Sequence, residues 1–352
     1  MIRFFFPVNL ESNRGDSVHA LKLLKYIGLK EVNHQAVFFN PERGRINKYI
    51  QFLVESIIGA FAPKTDLLYV RYFPLCSLGI ILARFRNLPC IVELNAIISE
   101  ELVDRGISNP LYQLVTFIDE QVISRHVSGA ICVTEGIRNF YFGDQAGRAI
   151  VLGNGVDIDE FGPLRSVSHG DDFTEFDFGF VGSLSPWQDL ETLIAALVLL
   201  RDRYHVEART LIVGHGINYA ALVKLVHKHG LSNQVHFLGE VPKTDIPHVM
   251  RKFRTGVAPL RGSRIKKTGT SAVKILEYIA AGRRVVCTRV TMADELTTLV
   301  DFFYEPENVD DLAKQLYSAY LQRDHAVGHK DISSFTWDAH VTKLLNFINS
   351  KR

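Results

Sequence analysis

The sequence predicts an α/β protein made of two doubly wound, parallel-sheet domains, and three observations carry that prediction. Strand-like and helix-like runs alternate from end to end. The alternation is interrupted once by a polar stretch and then restarts. The 352 residues, 47% of them hydrophobic, exceed what one ordinary core requires.

In the first half, IRFFFPV reads as a strand, HALKLLKYIGL as a helix, DLLYVRY as a strand, LGIILARF as a helix and CIVEL as a strand. The second half repeats the rhythm with FDFGFVG, LETLIAALVLL, RTLIVG, YAALVKLVHKHG, QVHFLG, TGVAPL, VKILEYIAAG and RRVVCT. Between the halves RSVSHGDDFTEF is polar and lacks apolar periodicity, which places a linker near residues 163–175. The expected domains are therefore 1–163 and 164–333. A final segment, 334–352, is an amphipathic helix with Trp337, Val341, Leu344, Leu345 and Ile348 on one stripe.

Forty basic against 38 acidic side chains leave a formal charge of +2, without the overall basicity of a nucleic-acid binder, so no nucleic-acid partner is expected. The four cysteines, Cys76, Cys90, Cys132 and Cys287, are widely spaced and form no CxxC pair, which fits a reducing compartment. MIRFFFPVN is too short for the apolar region of a secretory signal. The longest uncharged apolar run, Phe73 to Ala83, falls short of the roughly 18 residues of a membrane span. The expectation is a cytoplasmic protein. The helix YIQFLVESIIGAF, preceded by Arg43, Arg45 and Lys48, has two readings: packing on the sheet, or a peripheral contact with anionic lipid at the inner membrane face that presents a lipid-linked acceptor.

The strongest compositional signal lies between Arg251 and Arg289. Arg251, Lys252, Arg254, Arg261, Arg264, Lys266, Lys267, Lys274, Arg283, Arg284 and Arg289 face a single acid, Glu277. Within this stretch GTSAVKILEYIAAG reads as a loop and a helix capped near Thr270 or Ser271, whose free amides suit a phosphate. Glu277 is either an ion-pair partner of Lys274 or an acceptor for ribose hydroxyls. GHGINYA places Tyr219 at the third position of a dinucleotide fingerprint, so a tight turn after a strand is the better reading. The thirteen histidines include no HExxH, and His227 and His229 point to different helix faces, so no metal site is expected. Thr134 and Glu135 read as a helix cap, and Asn154 as a turn-shaping residue.

With LPCIVELNA, GAICVTEGIRNFY, VLGNGVDIDEFGPL, FVGSLSPWQDLETLIAAL, LIVGHG, LSNQVHFLGEVPKTDIPHVM and SAVKILEYIAAGRRVV in order over most of residues 65–300, the chain resembles the retaining glycosyltransferases of family 4. GNGVD followed by F-x-P is the most diagnostic segment. The resemblance implies a GT-B architecture of two Rossmann-like domains, with the last helix returning to the N-terminal one. It implies a metal-independent hexosyltransferase-like enzyme that uses a nucleoside diphosphate sugar as donor and needs no cofactor. The acceptor would be a glycan, a lipid-linked glycan or another hydroxyl. It also implies that Glu277 binds the donor ribose, that amides around Thr270, Ser271 and Val273 hold the diphosphate, and that Gly15 approaches the donor phosphates. Glu93 and Asn95 would face the transferred sugar or acceptor, whereas the residues alone also allow Glu93 a local salt bridge at the strand end. His19, just after Gly15 at the start of a helix, either touches acceptor or phosphate or has a capping or packing role.

Two departures accompany the likeness. Gly269 stands where the family often has the first Glu of a Glu-x7-Glu pair, and Ser183, Ser185 and Gln188 stand in a turn where it often has Arg and Lys. Lys274 and Arg261 are the candidates to supply the missing charge. A catalytically weak nucleotide-sugar-binding subunit is the alternative these departures motivate.

Overall fold

The computed structural model describes residues 1–9, 15–39, 45–104, 106–165, 175–262, 269, 273–290 and 294–352. The chain divides into two compact units, Met1–Gly155 with Trp337–Arg352, and Val156–Thr336.

The first unit runs β1 (Ile2–Phe6), α1 (Gly15–Leu29), β2 (His34–Phe38), α2 (Arg45–Phe61), β3 (Leu67–Arg71), α3 (Cys76–Phe85), β4 (Cys90–Leu94), α4 (Ile98–Asp104), α5 (Pro110–His126), β5 (Gly129–Cys132), α6 (Glu135–Phe142) and β6 (Ala149–Val151). Among the described residues its strands form one parallel sheet in the order β2-β1-β3-β4-β5-β6. Parallel strands covered on both faces must be apolar throughout, and β4 is buried at every position. On one face Leu68, Val70 and Val92 meet Phe52, Ile80 and Ile123 of α2, α3 and α5. Thr134 accepts from the Ile137 amide at 3.3 Å and so caps α6.

The second unit runs α7 (Ile158–Arg165), β7 (Phe176–Val181), α8 (Leu190–Tyr204), β8 (Thr210–Val213), α9 (Tyr219–Lys228), β9 (Val235–Gly239), α10 (Ile246–Met250), β10 (Phe253–Ala258), α11 (Val273–Ala280), β11 (Arg284–Thr288), α12 (Asp294–Thr297), β12 (Phe302–Tyr304) and α13 (Val309–Leu321). Its sheet is also parallel, in the order β12-β11-β10-β7-β8-β9. The chain reverses its winding direction between β7 and β10, and open α/β sheets bind ligands beyond the carboxyl ends of strands at such a point.

The units divide at Gly155/Val156, ahead of the polar stretch the sequence marks as a linker. The reason is α7, which packs on α10 and α11 and sends Phe161 into the second core. The terminal helix α14 (Trp337–Asn349) packs against α1, and its Trp337, Val341, Leu344 and Ile348 join Phe4, Phe6 and Leu23 on the other face of the first sheet. Gly155 and Gly129 admit it: a Cβ on Gly155 would lie 2.9 Å from the Trp337 backbone, and one on Gly129 would lie 2.8 Å from the Phe347 ring.

Candidate functional site

Each unit carries one polar centre near the carboxyl ends of its strands. In the first unit Tyr69 and Arg71 share a face of β3, and the register places Arg71 opposite Glu93 of β4. Glu93 is 1% exposed. The Tyr69 hydroxyl donates to its Oε2 at 2.8 Å, and Asn95 Nδ2 donates to its Oε1 at 3.0 Å. His19, on α1, sets Nε2 3.1 Å from the same Oε1, an ion-pair contact set off the N–H axis, and Arg71 Nε lies 3.7 Å away. His19 Nδ1 is 2.6 Å from Asn154 Oδ1. Both ring nitrogens thus face oxygens.

Burial alone would raise the Glu93 carboxyl, but the charges of His19 and Arg71 and the hydrogen bond from Asn95 outweigh it and hold the group well below the usual carboxylate range. Burial, with Glu93 adding, pushes the Tyr69 phenol well above its ordinary value. His340 of α14 stacks near Trp337, 5.1 Å between centroids, and burial, with His19 adding, pushes it down to about 3. A carboxylate this buried and this strongly ionised is a poor base. Its oxygens meet Tyr69, Asn95, His19 and Arg71, the local salt bridge that is one of the two sequence readings of this residue. Asn95 is the exposed member of the group, and His19 is buried. Gly15 begins α1.

In the second unit the exits of β7 and β8 are pressed together. The Gly182 amide donates to Val213 O at 3.0 Å and the Leu184 amide to His215 O at 3.0 Å. Gly214 has φ +126°, and a Cβ there would overlap the Gly182 carbonyl. GHGINYA is thus a tight turn, with His215 and Tyr219 stacked at 5.1 Å. The Tyr278 hydroxyl of α11 accepts from the Val181 amide at 3.0 Å, fixing the end of β7 to that helix.

Against this turn stands Lys274. Its Nζ donates to Gln188 Oε1 at 2.6 Å and sits 4.1 Å from the centroid of the Phe180 ring. Burial lowers its pKa to about 7, with Glu277 opposing. Glu277 forms neither a hydrogen bond nor a close ion pair with Lys274 among the described residues. Burial raises its carboxyl, with Lys243 and Lys274 opposing. Val273 precedes Lys274 at the start of α11. The hydroxyls of Ser183 and Ser185 bond each other at 2.6 Å. Thr270 and Ser271 lie outside the described residues.

Arg261 is held by two acids that the sequence reading did not single out. Its guanidinium lies 3.6 Å from Asp189 and 3.4 Å from Glu191, and its amide donates to Trp187 O at 3.1 Å. Burial raises Asp189 to about 6. The signal available in the sequence was the acid pair in WQDLE, next to the turn that lacks its usual cations. The basic stretch is not one patch. Arg254 donates to Arg323 O, Arg283 to Phe253 O and Arg284 to His325 O, all at the edge where β10 and β11 begin, and Arg289 pairs with Glu305 at 2.9 Å. Among the described cations of that stretch, Lys274 alone is set against the β7 turn without a close carboxylate.

The family described as Glycosyl transferases group 1 matches residues 175–321, a span that holds both the β7 turn and α11. The chain is 26% identical over 174 residues to the O-antigen chain mannosyltransferase B of Escherichia coli, covering 47% of this chain and 44% of that protein. The match to that curated relative therefore spans less than half its length. An uncharacterized glycosyltransferase of Methanocaldococcus jannaschii is 26% identical over 284 residues, covering 78% of this chain and 72% of that one. Among solved structures, Alr3699/HepE of Anabaena in complex with UDP and glucose superposes with a TM-score of 0.70 at 17% identity, covering 99% of both chains, a likeness of GT-B fold. Within the matched span Gln188 and Lys274 meet on the turn that follows β7.

Proposed function

We propose that the chain transfers a sugar, with retention, from a nucleoside diphosphate sugar to a glycan, lipid-linked or other hydroxyl acceptor. The observation that carries this reading is Lys274, a half-buried cation hydrogen-bonded to Gln188 and set against the glycine-lined turn at the β7/β10 switch point. A diphosphate there gains the ammonium without a metal. Charge develops on the β-phosphate as the sugar leaves, so a preorganised cation contributes directly to rate, on the order of 3 kcal/mol for one such donor. Glu277, with no hydrogen-bond partner among the described residues, is free to accept from ribose hydroxyls. The relative named a mannosyltransferase and the neighbour solved with UDP support the donor class, a sugar on a nucleoside diphosphate.

Attack from the face the nucleotide leaves, with a donor phosphate oxygen taking the acceptor proton, requires no protein base, which agrees with Glu93 being fully engaged. Thermal stabilisation by UDP, GDP and ADP tests the donor class. One nucleotide should raise the melting temperature, by about 2.7 kcal/mol of stability at a hundredfold excess over its Kd, and Lys274→Ala should remove the shift. Absence of any shift would defeat the reading. Stabilisation without sugar release or transfer would instead favour the non-catalytic binding subunit.

A further inference from the structure

The outward surface of the first unit departs from the usual rule that a helix packed on a sheet turns a polar face to solvent. From residue 50 onward the exposed positions of α2 are Ile50, Val54, Ile58 and Phe61, each about half accessible and together one stripe of large apolar side chains, while Phe52, Ser56 and Ala60 are buried. Gly79 of α3 receives Ser56 closely and Phe52 enters the core, while the other side of the helix turns large apolar side chains outward. The neighbouring helices continue the surface. On α3 Leu78 is exposed and Phe85 is 81% exposed; on α5 Leu111, Leu114, Phe117 and Ile118 are exposed. α2 packs on α3 and α3 on α5, so the three helices form one layer. An apolar surface of this extent marks an interaction site.

Its charge identifies the occupant. No acidic side chain is exposed among the described side chains of these helices: Asp119 and Glu120 are buried and Glu55 is half-buried. Lys64, Arg84, Arg86 and Arg125 are exposed at their carboxyl ends. Arg86 lies over the Phe61 ring at 5.1 Å, joining the ends of α2 and α3, and Arg84 shares a cavity of about 720 Å3 with Phe85 and His126 of α5. A second copy paired through the same face would offer these cations no acid, whereas lipid phosphate supplies the missing charge.

We infer that the α2–α3–α5 face of the first unit seats on an anionic lipid surface, its apolar stripes entering the interface and its arginines meeting phosphate headgroups. The inference stands apart from the donor reading, because none of these residues belongs to either polar centre.

Flotation of the full chain with vesicles of phosphatidylcholine, with and without an equal part of phosphatidylglycerol, tests it. Binding should appear with the anionic vesicles and weaken with salt. Ile58→Glu combined with Phe85→Glu should abolish it, and Arg84→Ala with Arg86→Ala should lower the partition coefficient about 30-fold. Both variants should keep the parent melting temperature. Failure to float with the anionic vesicles at low salt overturns the inference, as does equal flotation of the glutamate variant. A lipid-free dimer that Ile58→Glu dissociates also overturns it, by showing that the face belongs to a second copy.

Discussion

Glu93 and Glu277 are both removed from bulk water inside Rossmann-like units, yet their surroundings act on them in opposite directions. Around Glu93 two cations and hydrogen bonds overcome the cost of burial, and the carboxylate is locked in its charged form. Around Glu277 burial prevails, and no hydrogen bond from the described residues relieves it. The first centre is complete without a ligand and serves as frame. The second is left unsatisfied, as a site that waits for hydroxyls and phosphate must be.

Neutralising each carboxylate is the most direct way to break this contrast and gives the largest effect. Glu93→Gln leaves His19 and Arg71 facing a neutral amide, and breaking a buried pair in this way costs about 3–5 kcal/mol. Glu277→Gln removes a charge that the fold does not stabilise, so its cost in urea unfolding should stay within about 1 kcal/mol, while nucleotide-sugar binding weakens. Equal losses in the two variants would show that Glu277 is also part of the frame.

The next effect is in pH. Glu93 has a depressed pKa, so its contribution is present above about 4.3, the ordinary glutamate value, and is lost as pH falls towards its folded value. His340, pushed down to about 3, adds to the same trend, because the unfolded chain takes up its proton from about pH 6.5 downward. In the second unit Asp189 and Glu277 are raised, so their contribution is present at low pH and lost as pH rises, through about 6 for Asp189. Lys274, lowered to about 7, is a burden below that pH, and the burden fades as pH rises towards about 10.4. Hydrogen exchange followed from pH 4.5 to 7 should therefore show the first unit gaining protection through His340 of α14 while α8 loses it. Parallel profiles would remove the distinction.

The same lysine predicts how the ligand responds. A diphosphate needs the ammonium, so the Kd for the stabilising nucleotide should rise with pH above about 7, by at most tenfold per unit, and should flatten in Lys274→Arg. Calorimetry at pH 6.5, 7.5 and 8.5 measures it.

Much of this was legible in the sequence, and the remainder had identifiable reasons to be hidden. The alternation of runs shows two parallel sheets because strands buried on both faces must be continuously apolar, as CIVEL and FDFGFVG are. The stripe on the terminal helix is visible for the same reason. The assembly around Glu93 was not legible, since Tyr69, Asn154 and His19 come from three separate segments that only the register of β3 and β4 and the seat of α1 bring together. The basic stretch misled by proximity along the chain: strands carry Arg254 and Arg284 to the edge opposite Lys274, and linear spacing does not reveal that. The polarity of α2 was half legible, because a helix apolar on nearly every side gives no sign of which face stays outside.

The smallest expected effect concerns Gln188, and it tests whether Lys274 is held in readiness or merely packed. The amide oxygen accepts the ammonium in the unliganded turn, and a diphosphate in that turn competes for the same protons. Gln188→Ala should therefore cost about 1 kcal/mol of unfolding free energy. The loss should shrink when the nucleotide is bound, because phosphate oxygens then replace the amide. If Gln188→Ala instead weakens nucleotide binding as strongly as Lys274→Ala, the glutamine contacts the donor itself. Lys274 would then share with Gln188 the role assigned to it alone.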